Sequence, residues 1–146
     1  MRIAALLCIL ACSESAWAYD SRPGDALVEL RSGLSGNSLE LGQMLHEHWR
    51  GSVLLTHSWG TVRVPVGLGL MAGYEGHRRG YALLPRARFG LAMALLHDGG
   101  LGLVAQSDVG LLWNVVRGVG LGCSVGAQVW GGSLMPEASL SLVTRW

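Results

Sequence analysis

A chain of 146 residues has room for one domain built around one core. Half of its residues are apolar and only 14% are charged, which excludes an intrinsically disordered protein. A net charge of +1 gives no electrostatic reason to bind a polyanion, which excludes nucleic acid as a partner.

The first 18 residues have the pattern of an export signal. Arg2 precedes an apolar run from Ile3 to Ala11, and Ala16 and Ala18 are small residues of the kind a signal peptidase accepts. The run is too short to span a bilayer, so residues 1–18 are expected to be cleaved, leaving 19–146 as the mature domain. A competing cut lies at Ile9-Leu10-Ala11-Cys12, a loose lipoprotein box in which Leu10 occupies a place usually held by a small or β-branched residue. Cleavage at Ala18 leaves Cys123 as the last thiol, so no internal disulfide is expected.

From there on the apolar residues recur with a period of two. Between Val62 and Tyr74 the even positions are apolar, while the odd ones include Arg63, Pro65 and three glycines. Successive side chains of a strand point to opposite faces, so one face is greasy and the other small or charged. Eight such stretches are predicted, over residues 25–33, 38–46, 49–59, 61–74, 82–96, 101–116, 118–130 and 137–146. Turn signals separate them, among them Ser35-Gly-Asn, His97-Asp-Gly-Gly, Arg117-Gly and Gly131-Gly132-Ser133.

The charges follow the same two faces. Glu47, Glu75, Arg78, Arg79, Asp98, Arg117 and Glu137 are assigned to connections. Glu29, Arg31, Glu40, Arg50, Arg63, Arg86, Arg88, Asp108 and Arg145 fall inside strands, and all nine are on the small, polar face. An arginine facing lipid at the bilayer centre costs about 2–4 kcal/mol, which accounts for the exclusion if the greasy face meets hydrocarbon. Glycine and alanine also crowd the polar face, as the narrow interior of an eight-stranded barrel requires. The aromatics Trp49, Trp59, Tyr74, Tyr81, Trp130 and Trp146 sit near strand ends, where interfacial girdles form. The expected fold is therefore all-β: an eight-stranded, antiparallel, up-and-down transmembrane barrel with a lumen network of charges. A soluble barrel with the leucines inside is one alternative. Helices are another, although Asp108, Asn114, Arg117 and several glycines interrupt Leu101–Trp130.

The closing segment Ala138-Ser-Leu-Ser-Leu-Val-Thr-Arg-Trp146 alternates and ends on an aromatic. Together with the export signal and the eight stretches, it resembles the small outer-membrane β-barrels of Gram-negative bacteria. That resemblance implies residence in the bacterial outer membrane. It also implies recognition of the C-terminal strand, through Leu140, Leu142 and Trp146, by the barrel-assembly machinery. Membrane lipid and lipopolysaccharide are the expected partners, and a monomer the expected state. A looser resemblance, through Leu68-Gly-Leu70-Met-Ala-Gly73 and Leu83-Leu84-Pro85, is to the lipid A palmitoyltransferase barrels. Such barrels have short periplasmic turns, yet the strand count puts the longest connection, Glu75–Gly80, on the periplasmic side. An alternative count splits the sixth strand at Ser107-Asp108 and removes 25–33 from the barrel, which moves that loop outside.

Candidate chemistry is sparse. Barrels that acylate or deacylate lipid A place a serine, a histidine and an acid near the outer rim, and His57, Ser58 and Asp98 are the residues available for those roles. Adjacent strand residues face opposite ways, so His57 cannot serve Ser58 directly as a base. His46-Glu47-His48 offers two imidazoles but no third ligand, so no metal site is expected. His77-Arg78-Arg79 forms a basic tip suited to lipopolysaccharide phosphates if it lies outside. The expectation is a closed barrel with a structural or surface role, without cofactor or catalysis. The alternative is a lipid A-modifying acyl hydrolase or acyltransferase.

Overall fold

Eight antiparallel strands close into a barrel in sequence order: β1 (Ala26–Gly33), β2 (Gly36–Met44), β3 (Trp49–Ser58), β4 (Val66–Glu75), β5 (Leu83–Leu95), β6 (Leu101–Val116), β7 (Val119–Trp130) and β8 (Ser133–Arg145). The computed structural model describes residues 22–58, 66–76, 83–95, 100–130 and 132–146. The export signal with Cys12, Trp59, Arg63, the 77–79 tip, Tyr81 and His97-Asp98 lie outside them.

Closure is made by β1 and β8, with Leu27 opposite Arg145. Ala26 N donates to Trp146 O at 3.0 Å and Trp146 N donates to Ala26 O at 3.1 Å, so the last residue of the chain fastens the seam. Closing the sheet gives the backbone donors and acceptors of the seam strands partners, as hydrocarbon demands. Two connections are as tight as a hairpin allows. Val116 faces Val119 across Arg117-Gly118, with Gly118 at φ +77°, the left-handed conformation that twist-matched two-residue turns need. Trp130 faces Ser133 in the same way, with Gly132 at φ +83°.

Burial alternates residue by residue, without a break, from Leu83 to Leu95 in β5. The leucines point outward, Leu70 and Leu140 being 69% and 70% exposed, whereas Glu29 and Glu40 are completely buried. A soluble barrel would have these reversed, so that alternative is overturned. The helical alternative fails too, because Leu101 to Trp130 forms β6 and β7.

The strand count holds, with adjustments at the ends. β2 begins two residues earlier than predicted and β8 begins at Ser133 instead of 137. β6 runs unbroken through Ser107-Asp108, with Asp108 opposite Arg88 on one side and Gly126 on the other. The alternative count that splits this strand is therefore wrong, and Glu75 at the end of β4 lies at the same end of the barrel as Ala26 of β1 and Arg145 of β8. Glu75, assigned to a connection from sequence, is the last residue of β4 and faces inward. Glu137, assigned likewise, lies within β8. Trp49 and Tyr74 do form an outward aromatic pair, with centroids 5.3 Å apart and Trp146 exposed at the same end. Trp130 does not join a girdle: it shares the inward parity of Gly122 and Ser124 and packs against buried Leu54, Met71 and Val104.

Because the leucine face meets hydrocarbon, Leu70→Arg should destabilise the barrel by about 2–4 kcal/mol, while the same change at the rim residue Leu134 should cost about 1 kcal/mol or less. Urea titrations in phospholipid vesicles, followed by tryptophan fluorescence, check the difference.

Candidate functional site

The inward parity of every strand delivers polar side chains to one point of the lumen. Glu29 of β1 stands directly opposite Glu40 of β2, a pairing of like charges that is unfavourable alone. Arg50 of β3 resolves it, its Nη2 donating to Glu29 Oε2 at 2.7 Å and to Glu40 Oε2 at 3.0 Å. From the far wall Arg88 Nη1 donates to Glu29 Oε1 at 2.6 Å and to Glu40 Oε1 at 3.1 Å. Arg86 Nη1 adds a third donor to Glu29 at 2.9 Å. The same Arg88 grips Asp108 of β6 with two parallel bonds, Nε to Oδ1 at 2.9 Å and Nη2 to Oδ2 at 3.0 Å. Such fork-on-fork contacts are the strong, directional form of a charge-assisted bond.

The network continues outward in both directions. Arg31 Nη1 donates to Asp108 Oδ2 at 2.8 Å, and its Nε donates to Ser38 Oγ at 3.0 Å. Toward the termini, Arg50 Nη1 and Arg145 Nη2 both donate to Glu75. Ser52, Ser124 and Ser141 complete the partners of Glu40, Arg88 and Arg86, and Ser124 is bonded to Ser139. The inward glycines leave the volume these guanidiniums occupy. A Cβ at Gly73 would stand 2.7 Å from Arg50 Nε, and one at Gly122 would stand 2.5 Å from Arg86 Nη2.

Apolar clusters lie on either side of the ions. Leu54, Met71, Ala92, Ala94 and Val104, with Trp130, lie toward the end that carries the β1–β2 turn. Leu84, Leu112 and Val143 lie toward the termini. Burying this many charges carries a desolvation cost that only mutual pairing can offset. The lumen keeps a void of about 40 Å³ at its mouth, room for a few waters or one small polar group.

The structure places eight of the residues expected in the lumen, Glu29, Arg31, Glu40, Arg50, Arg86, Arg88, Asp108 and Arg145, in buried positions. Arg63 lies outside the described residues. Glu75 was missed, although the odd parity of Arg63, Gly67 and Gly73 leads straight to it. The inward Leu54, Met71, Leu84 and Leu112 were missed for another reason: they are apolar residues on the polar parity, which alternation alone treats as noise. Of the catalytic candidates, His57 is exposed on the outer face in register with Asn37, and Ser58 has its backbone opposite Gly36. The Ser58 side chain and Asp98 lie outside the described residues, so nothing described joins the three. His46 is exposed, while the His48 ring lies 3.2 Å from Glu75 O and against Tyr74, so the two imidazoles do not converge. Among the described residues no three metal-ligating side chains cluster. Leu140, Leu142 and Trp146 all face outward at the seam.

A closed eight-stranded barrel, apolar outside and ionic inside, has the architecture of a small bacterial outer-membrane protein. Solved structures share the fold. The N-terminal β-barrel domain of Pseudomonas aeruginosa OprF superposes with a TM-score of 0.69 at 16% identity, covering 85% of this chain and 98% of that one. A structure described as a de novo design of transmembrane β-barrels gives 0.59 at 15% identity, covering 87% and 99% respectively. No protein-family profile matches the sequence, and no curated protein is significantly similar to it.

Glu29 accepts from three buried arginines, so Glu29→Gln leaves cationic charge without its counterion. A loss of about 3–5 kcal/mol is expected from breaking such a buried pair, against less than about 1 kcal/mol for Glu47→Gln in the exposed β2–β3 turn. Equilibrium unfolding in detergent micelles, read by the gel-mobility difference between folded and unfolded chain, compares the two.

Proposed function

We propose that this protein is a small outer-membrane β-barrel with a structural or surface-interaction role, not a pore and not a catalyst. The carrying observation is the lumen: nine buried charges from seven strands meet across its whole section and leave no continuous passage among the described residues. An interior of eight strands is wide enough only for side chains, and here ion pairs take up that width. The outer surface does the complementary work, as a belt of leucine and valine for lipid with an aromatic pair at the terminal end. Lipid and lipopolysaccharide are its surroundings on this reading, and the monomer is its working form.

Planar-bilayer recordings of the purified protein should show no stepwise conductance, and boiled and unboiled samples should migrate differently on a denaturing gel. Steady channels of uniform size would overturn the closed-lumen reading. A comparison of lipid A from cells with and without the protein tests the absence of catalysis, with an unchanged acylation pattern expected.

Recognition by the assembly machinery is read at the seam, where Trp146 exchanges both backbone bonds with Ala26. Deleting Trp146 should lower the amount inserted in the outer membrane of living cells severalfold, while refolding into detergent in vitro stays nearly complete. Equal loss in both settings would assign Trp146 to stability instead of recognition.

A further inference from the structure

The barrel wall is of uneven height. β1 and β2 turn back at Leu34-Ser35, and Gly33 stands opposite Ser139 of β8. Beyond that level Ser133 to Glu137 pair with β7 alone among the described residues, Ala138 O being the last acceptor on the β1 side, from Leu34 N at 3.1 Å. Pro136 lies in this bare edge and removes a backbone donor from it, so the edge is poorly suited to adding another strand. What remains is a notch that opens the mouth of the lumen sideways.

The notch is polar within. Arg31, Asn37, Thr56, Gln106 and Gln128 line it, with Trp130 beneath. Gln106 Nε2 is buried there with no hydrogen-bond partner, a deficit that an incoming acceptor would relieve. Arg31 is the guanidinium of the network nearest to this mouth, and it is only partly neutralised. Its Nη1 shares Asp108 with the two-pronged grip of Arg88, its Nε is bonded to Ser38, and its Nη2 has no partner among the described residues. Glu137 also lines the mouth, but its Oε2 accepts from Ser35 N at 3.2 Å and so is turned to the hairpin. Outside, the same Arg31, Asn37, Thr56 and His57 border an apolar groove of about 560 Å³ formed by Leu30, Leu39, Leu55, Leu140 and Leu142.

A cationic, donor-rich hole that opens onto an apolar groove matches an amphiphile with an anionic head. We propose that the notch binds the phosphate of a membrane lipid, held by Arg31 and Gln106, with the acyl chain lying in the Leu39–Leu55 groove. The proposal rests on the reading that the groove faces bilayer hydrocarbon, and it names the partner of that surface.

Isothermal calorimetry on the protein refolded in detergent micelles tests it, with dioctanoyl phosphatidic acid, dioctanoylglycerol and inorganic phosphate as three separate probes. Saturable binding of phosphatidic acid is expected, with binding of the other two at least about tenfold weaker, since each lacks half of the contacts. Gln106→Leu, which lies outside the ion pairs, should weaken phosphatidic acid about tenfold, and Glu137→Gln should tighten it by removing a like charge. Equal binding of dioctanoylglycerol overturns the phosphate site, and equal binding of inorganic phosphate overturns the lipid as its source. An affinity unchanged by Gln106→Leu overturns the location. Heat-dependent gel migration of the same samples reports on the barrel itself, so its loss counts against the membrane reading and its presence without binding counts against the notch alone.

Discussion

Glu29 and Glu40, side by side on neighbouring strands and bound by the same two arginines, are the constraint around which the rest of the interior is arranged. Two carboxylates this close and this buried are tolerable only if cations reach them from elsewhere in the barrel. Arg50 comes from β3 and Arg88 from β5, across the lumen. Arg50 requires inward glycine at Gly73, its neighbour Arg86 requires it at Gly122, and the remaining donors of the three arginines require Glu75, Asp108 and the serines of β7 and β8. Every strand thus contributes at least one side chain to a single bonded set. The sheet hydrogen bonds fix neighbours, while this set ties together walls that are not neighbours.

The choice of cation follows from that geometry. The chain contains no lysine, and each inward base is an arginine. A guanidinium keeps its charge in a low-dielectric interior and presents several donors in a plane, so one residue can serve three carboxylates, as Arg50 and Arg88 do. An ammonium is a single point charge and shifts its protonation readily when buried. Apolar side chains placed on either side of the ions, Trp130 among them, keep bulk water from competing for those bonds.

Much of this was legible because a strand has only two faces. Parity alone assigned Glu29, Glu40, Arg50, Arg86, Arg88 and Asp108 to one side and Leu70, Leu91 and Leu140 to the other, and a two-residue error at the start of β2 left every side chain on its correct face. Parity failed where an element's end was misjudged. Glu75 and Glu137 were placed in turns because a charge beside glycine or proline looks like a loop, yet register carries β4 as far as Glu75 and starts β8 before Glu137. It also failed for Trp130, where a tryptophan near a strand end suggested an interface, although its even position in β7 sets it inward. The ion pairs themselves were out of reach. Which arginine meets which carboxylate depends on the stagger of strands that are distant in sequence, and alternation holds no information about stagger.

The uneven wall also acts on the surrounding lipid. β1 has 8 residues and β6 has 16, so hydrocarbon meets a low parapet on one side of the cylinder and a tall one on the other. A bilayer adapts to such a mismatch by thinning locally or by letting the protein lean, at a fraction of a kcal/mol per ångström. A low wall at the β1–β2 hairpin therefore asks the surrounding lipid for one of two concessions, a thinner leaflet on that side or a barrel inclined toward it.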